Sequence, residues 1–277
     1  MHDVQAKAIR PMVIAHRTAR LGSMMGLCAL LVACAGGPRD TISLIPNEVA
    51  QETSKDGLFI QASDWTRSKP GCEGECPSIT VHTLVFPGHQ MLTELVDHAL
   101  ANMTWLDRNH AAPYFTIAEL VPYFWTTAGP RDEIQLQARA RYRNRNLTVL
   151  ELDSWQYRTG MAHGMNGSQF INWDNDTRKV LGLDDLLEPG GRQGYVQALR
   201  DAHAQWLQGN PAVRDDPETY TRIWPFQPTD NVALTDQGLL VKYQPYQIAP
   251  YSSGQPELLI PYPALQGILR PRFLPDG

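Results

Sequence analysis

Ile134-Gln135-Leu136-Gln137-Ala138-Arg139-Ala140-Arg141-Tyr142 alternates apolar and polar residues without a break. Period two is the side-chain repeat of a β-strand, so one face of this segment is expected in a core and the other in solvent. Arg143-Asn144-Arg145-Asn146 supplies a turn, and Leu147 to Tyr157 returns the chain as a second long strand of β-favouring residues. The four arginines have two readings, an anionic-ligand patch or a solvated sheet face beside a turn. The second is the ordinary use of such residues.

Beyond this hairpin lies Tyr157-Arg158-Thr159-Gly160-Met161-Ala162-His163-Gly164-Met165-Asn166-Gly167-Ser168, with three glycines and one histidine. Glycine at this density marks backbone that turns tightly or approaches another group closely. The next strand is expected near Gln169, with Phe170, Ile171 and Trp173, and Asp174-Asn175-Asp176 reads as a turn. The stretch is therefore either an active loop or a crossover between sheet segments, with His163 and the glycines satisfying backbone.

Toward the N-terminus, Ser78 to Phe86 reads as a strand. Leu92, Leu95, Val96, Leu100 and Met103 recur at helical spacing, which predicts an amphipathic helix over 90–106. Thr116 followed by Glu119 has the pattern of a helix capping box, and Pro122 is expected to interrupt the helix, leaving Tyr123, Phe124 and Trp125 as core. Toward the C-terminus, Tyr195, Leu199, Ala202 and Trp206 share a stripe of a second helix over 193–207, stopped by Asn210-Pro211. A hairpin follows at 231–243 around Thr235-Asp236-Gln237-Gly238, then a short strand at 258–260 and a last helical turn over Pro261-Tyr262-Pro263-Ala264-Leu265 with proline at its start. Strands and helices fall in separate clusters, so the expected class is α+β, with antiparallel sheets and a few packed amphipathic helices.

The first 33 of the 277 residues have another purpose. Lys7, Arg10, Arg17 and Arg20 precede the apolar run Leu21 to Val32, and Leu31-Val32-Ala33-Cys34 matches the lipobox at which a bacterial signal peptide is cut before a lipid-bearing cysteine. The run is too short to span a bilayer. The length of the basic segment admits Met12 as the start codon. Cleavage takes four basic residues and Asp3 from the net charge of −5, leaving roughly −8, which argues against nucleic acid. It favours an envelope protein or a cationic partner. Cys28 would be discarded and Cys34 lipidated, so Cys72 and Cys76 remain as a short-loop disulfide suited to an oxidising compartment.

Tyr157, Gly160, Ala162-His163-Gly164, Asn172, Asp174, Leu183, Leu186, Leu187, Gly238-Leu239, Tyr246 to Tyr251, Gly254 and Ile260-Pro261-Tyr262 together resemble the RsiV/PdaC-type extracytoplasmic domain. This is the domain-of-unknown-function family numbered 3298, and the likeness runs over roughly residues 58–269. The resemblance implies binding outside the cytoplasm: one member type is the outer part of an anti-sigma factor that binds lysozyme, and another precedes a peptidoglycan deacetylase. Neither an anti-sigma segment nor the deacetylase metal residues are recognised here, so neither activity carries over. Ala35 after the cysteine is similar to outer-membrane lipoproteins of Gram-negative bacteria. The organisation expected is a signal peptide at 1–33, a lipidated tether at 34–55, an N-terminal α/β subdomain with the disulfide at 56–130, and an RsiV-like domain at 131–277, the last two forming one unit.

For chemistry, His163, Asn166, Trp173, Tyr246 and Tyr251 are the candidate binding residues, since aromatics beside glycine-rich loops stack on sugars or anchor protein partners. The expected function is a non-enzymatic, lipid-anchored periplasmic protein that recognises peptidoglycan, another envelope component or a lysozyme-like protein, without cofactor or metal. The alternative is an envelope hydrolase with His163 as base, Asp174 or Asp176 orienting it and Ser168 as nucleophile. No Gly-Xaa-Ser-Xaa-Gly elbow and no His-Glu-Xaa-Xaa-His helix supports it.

Overall fold

The computed structural model describes residues 57–107, 109–214 and 216–275; the signal sequence, Cys34 and the whole tether lie outside them. The hairpin that anchors the sequence reading is present as β3 (Glu133–Arg143) and β4 (Leu147–Tyr157), paired antiparallel with a bulge near Arg141. Around it forms a sheet of β1 (Gln61–Ser68), β2 (Ser78–Val85), β3, β4, β5 (Met165–Asp174) and β6 (Lys179–Leu181), in that order. All neighbours are antiparallel except β2 and β3, which run parallel.

A parallel pair needs a long crossover. Here it is made by α1 (Gln90–Asn102) and α2 (Ile117–Thr127), which bury Leu92, Val96, Leu100, Ile117, Leu120 and Phe124 against one face of the sheet. α1 ends four residues earlier than its apolar spacing suggests, because Thr104 Oγ donates to the Ala101 carbonyl at 2.8 Å and meets the Tyr114 hydroxyl at 2.6 Å. Thr116 caps α2 by accepting from the Glu119 N–H at 3.2 Å, as the motif predicts. Pro122 does not interrupt α2. Both Pro122 and Ala118, whose carbonyl would otherwise accept the missing N–H, are exposed, so water can satisfy that carbonyl while the buried side holds the helix.

The other face of β4 and β5 carries a second core. A three-stranded sheet, β7 (Val232–Leu234), β8 (Gly238–Lys242) and β9 (Glu257–Pro261), packs there with α3 (Leu183–Leu186) and α4 (Arg192–Gly209), burying Val149, Phe170, Tyr195, Leu199, Val241 and Ile260. A short helix, α5 (Pro217–Ile223), follows α4. The α+β class is thus realised, with β4 buried on both faces for most of its length.

Side-chain amides join the two sheets. The outer edge of β5 beyond β6 would leave backbone groups unpaired, a cost that buried polar groups do not tolerate. Asn231 Oδ1 accepts from the Phe170 N–H at 2.8 Å, and Gln244 Oε1 from the Ser168 N–H at 3.0 Å. Asn172 donates to the Val232 carbonyl at 2.8 Å and accepts from the Leu234 N–H at 2.9 Å.

The arginine face is not simply solvated. Arg139 meets Glu151 at 2.9 Å and Asp153 at 3.1 Å, and Arg141 meets Glu257 at 2.6 Å. Lys242, 5% exposed, bonds Glu151, whose side chain is wholly buried. Three cations and three carboxylates thus neutralise one another where β8 and β9 cover β3 and β4. Cys72 and Cys76 form the expected disulfide in the β1–β2 connection.

Candidate functional site

β5 begins at Met165, four residues before the sequence suggests, and pairs directly with β4. The glycine-rich stretch is therefore a hairpin loop over 158–164 rather than a crossover. Its start is tied down by Asp132, which accepts from the Thr159 N–H at 2.6 Å and hydroxyl at 2.8 Å and from Arg158 at 3.1 Å. Burial alone would raise the Asp132 pKa, but these donors outweigh it and hold the carboxyl below its ordinary value. Its end is tied down by close approach: a Cβ on Gly164 would lie 2.2 Å from the indole nitrogen of Trp155. Only glycine fits between the loop and that ring.

Gly164 in turn positions His163. The imidazole Nδ1 lies 2.8 Å from the Gly164 carbonyl, which can only accept, so Nδ1 carries the proton. In the neutral ring, Nε2 is then left to accept from the Tyr246 hydroxyl at 3.1 Å. The ring stacks on Tyr251 with centroids 4.0 Å apart, and Asn166 donates to the Tyr251 hydroxyl at 3.2 Å. Trp224 stacks near Tyr246 at 6.3 Å.

Tyr246 is held against its backbone preference. It occupies the third position of the turn Gln244-Pro245-Tyr246-Gln247, closed by Gln247 N–H to the Gln244 carbonyl at 3.2 Å, with φ +68°. Turns of this kind take glycine at that position, and a non-glycine residue there costs on the order of 1–3 kcal/mol. Yet the residue remains 52% exposed.

Four of the five candidate binding residues, His163, Asn166, Tyr246 and Tyr251, are thus in one cluster. Trp173 is not: it is 2% exposed and packs in the helix-side core, its indole nitrogen without a partner among the described residues. Asp174 also stands apart. Its Oδ1 accepts from the Asp176 and Thr177 N–H groups at 3.0 and 2.9 Å and its Oδ2 meets Arg272 at 3.2 Å. Burial opposes ionisation, but those turn donors and Arg272 keep its pKa low. It lines a separate cleft of about 410 Å³ with Tyr142, Tyr262 and Arg272. Ser168 Oγ is buried without a partner among the described residues. The contacts of His163 include neither group, so the Ser-His-Asp arrangement considered from the sequence is not assembled.

Comparison with known proteins fits this fold. A family model described as "Protein of unknown function (DUF3298)" matches residues 184–263. The crystal structure of a DUF3298 family protein from Pseudomonas aeruginosa PAO1 is 38% identical, with a TM-score of 0.73, covering 80% of this chain and 99% of that one. The chain belongs to the DUF3298 family. A second DUF3298 structure, from Bacteroides fragilis NCTC 9343, shares the fold at 16% identity and a TM-score of 0.61, covering 78% of this chain and 95% of that one. No curated protein matches the chain. The DUF3298 segment supplies Trp224, Tyr246 and Tyr251, whereas His163 and Asn166 come from the preceding β4–β5 hairpin.

Two parts of the site escape sequence reading. Trp155, the ring on which Gly164 rests, stands two positions from Tyr157 on β4, and that aromatic pair at strand spacing was the available signal. Trp224 sits in a proline-rich irregular stretch with no periodicity to place it.

Proposed function

We propose that this DUF3298 protein is a non-enzymatic, lipid-anchored envelope protein, and that its folded part binds peptidoglycan, another envelope component or a lysozyme-like protein through the His163, Tyr246 and Tyr251 cluster. The observation that carries this reading is the exposed Tyr246 ring, kept in a backbone conformation that disfavours it and in contact with His163. Aromatic side chains bring large contact area at small entropic cost, which suits them to anchor a ligand. The lipobox at Cys34 supports an envelope location, and the acidic balance supports a basic protein as one partner.

Two measurements test this. Cys34→Ser should move the protein from the membrane to the soluble fraction of the native host; unchanged membrane association would remove the lipid anchor from the proposal. The soluble Cys34→Ser chain should then sediment with isolated peptidoglycan sacculi or retain purified lysozyme on a column. Adding Tyr246→Gly should weaken that binding at least tenfold while leaving unfolding stability within about 1 kcal/mol, since relief of backbone strain offsets the lost ring contacts. Capture of neither probe would overturn the binding reading.

A further inference from the structure

Beside the aromatic cluster lies a face of the larger sheet that the smaller sheet leaves uncovered. Ile134, Leu136, Leu150 and Leu152 point into the helix-side core, so Gln135, Gln137, Arg139, Asp153 and Trp155 line the opposite side. With His82, Asn166 and Gln255 they bound an open groove of about 320 Å³.

The groove's chemistry is selective in what it leaves over. Its charged groups are already matched: Arg139 to Glu151 and Asp153, Lys242 to Glu151 and Asp153, His82 to Asp64 at 2.9 Å. An ionic ligand would compete with these pairs. The neutral amides are only half used. Gln137 Oε1 accepts from Arg139, Asn166 Nδ2 donates to Tyr251, and Gln255 Nε2 donates to Gln244 at 3.3 Å. An amide has two donor hydrogens on nitrogen and two acceptor sites on oxygen. Among the described residues the NH₂ group of Gln137 and the carbonyls of Asn166 and Gln255 make no further hydrogen bond, so these groove-lining amides keep capacity for both donating and accepting. Trp155 lines the groove, and Tyr157, two positions further along the same face of β4 and outside the lining, holds a near-parallel ring, 14° apart with centroids at 6.5 Å.

Unspent neutral donors and acceptors beside flat aromatic rings match a molecule of many hydroxyls, no charge and flat apolar ring faces. We infer that this groove binds a neutral oligosaccharide strand, laid along the sheet face with its hydroxyls on Gln137, Asn166 and Gln255 and a sugar ring against Trp155 and Tyr157. The inference rests on the binding reading above and names the ligand class for it, Asn166 being common to the groove and the cluster.

Calorimetric titration of the soluble Cys34→Ser chain decides the matter, with tetra-N-acetylchitotetraose and cellotetraose as neutral probes and tetragalacturonate as the charged one. A neutral tetrasaccharide should bind, tetragalacturonate should bind at least tenfold more weakly, and Gln137→Ala and Tyr157→Ala should each weaken the neutral probe at least fivefold with an unchanged melting temperature. Tyr157→Ala touches no member of the ion network, and Gln137→Ala removes a single bond to Arg139, which keeps Glu151 and Asp153, so both variants should fold. Saccharide binding unaffected by both would overturn the groove assignment, and preference for tetragalacturonate would overturn the ligand class. Retention of sacculi or lysozyme with no binding of either neutral probe would overturn the saccharide inference while leaving the binding reading in place.

Discussion

Glu151→Ala is expected to cost the fold about 3–5 kcal/mol, read as a lower urea midpoint with an unchanged slope. The Glu151 side chain is completely buried and receives Lys242, Arg139 and Arg141. Removing it leaves Lys242, itself 5% exposed, with Asp153 and Glu257 at 3.4 and 3.5 Å as its remaining counter-ions among the described residues. A buried cation that loses its nearest counter-ion costs more than the pair contributed, because desolvation is no longer repaid. Stability within about 1 kcal/mol of wild type would show that the network is hydrated rather than buried.

The same group sets an acid limit. Burial pushes the Glu151 pKa up, but hydrogen bonds from Lys242 and Arg139 outweigh it and the pKa lies below its ordinary value. A carboxyl depressed in the folded state contributes stability that is present above its unfolded pKa, about 4.3, and is lost as pH falls through the folded value. Asp132 and Asp174 are depressed as well and act in the same direction. Urea midpoints should therefore decline slightly below about pH 6.5, where the unfolded chain protonates His203 while burial and Arg200 lower its folded pKa, and fall more steeply below about 4.3. Glu151→Gln, which keeps the volume but not the charge, should flatten part of that fall.

How far the fold could be read from sequence follows from what each element depends on. β3, β4 and the β7–β8 hairpin were legible because their signals are local: alternation, turn residues and short loops. The start of β5 was not, since Met165-Asn166-Gly167-Ser168 has little strand preference of its own and is drawn into the sheet by pairing with residues 153–156. Trp173 was misplaced for a related reason. Alternation says that Phe170 and Asn172 oppose Ile171 and Trp173, but when both faces of a strand are buried it cannot say which face holds a ligand. The bond from Lys242 to Glu151 spans 91 positions and has no local trace beyond charged residues in apolar strands. His163, Asn166, Tyr246 and Tyr251 were legible as residue types beside glycine and proline, while their meeting depends on the amides that dock the smaller sheet.

Gly164→Ala tests whether that meeting matters. The new methyl carbon would stand 2.2, 2.3 and 2.6 Å from three atoms of the Trp155 indole, distances at which one group must move. Trp155 is fixed in the middle of the sheet, paired with Asn166, so the loop is the part that yields. The cost expected from such overpacking is about 1–3 kcal/mol. The larger effect is functional, because His163 is oriented by the Gly164 carbonyl and a displaced loop separates it from Tyr246 and Tyr251. Sacculus or lysozyme binding should fall at least tenfold. Gly160→Ala provides the contrast: at φ +96° with open space around its Cβ, it should cost about 1–2 kcal/mol of backbone strain yet keep binding. Combining Gly164→Ala with Trp155→Ala should recover part of the stability lost by the glycine change alone, since the clash disappears with the ring. Additive losses in that double-mutant cycle would mean that the two residues do not meet, and that His163 is placed by some other contact.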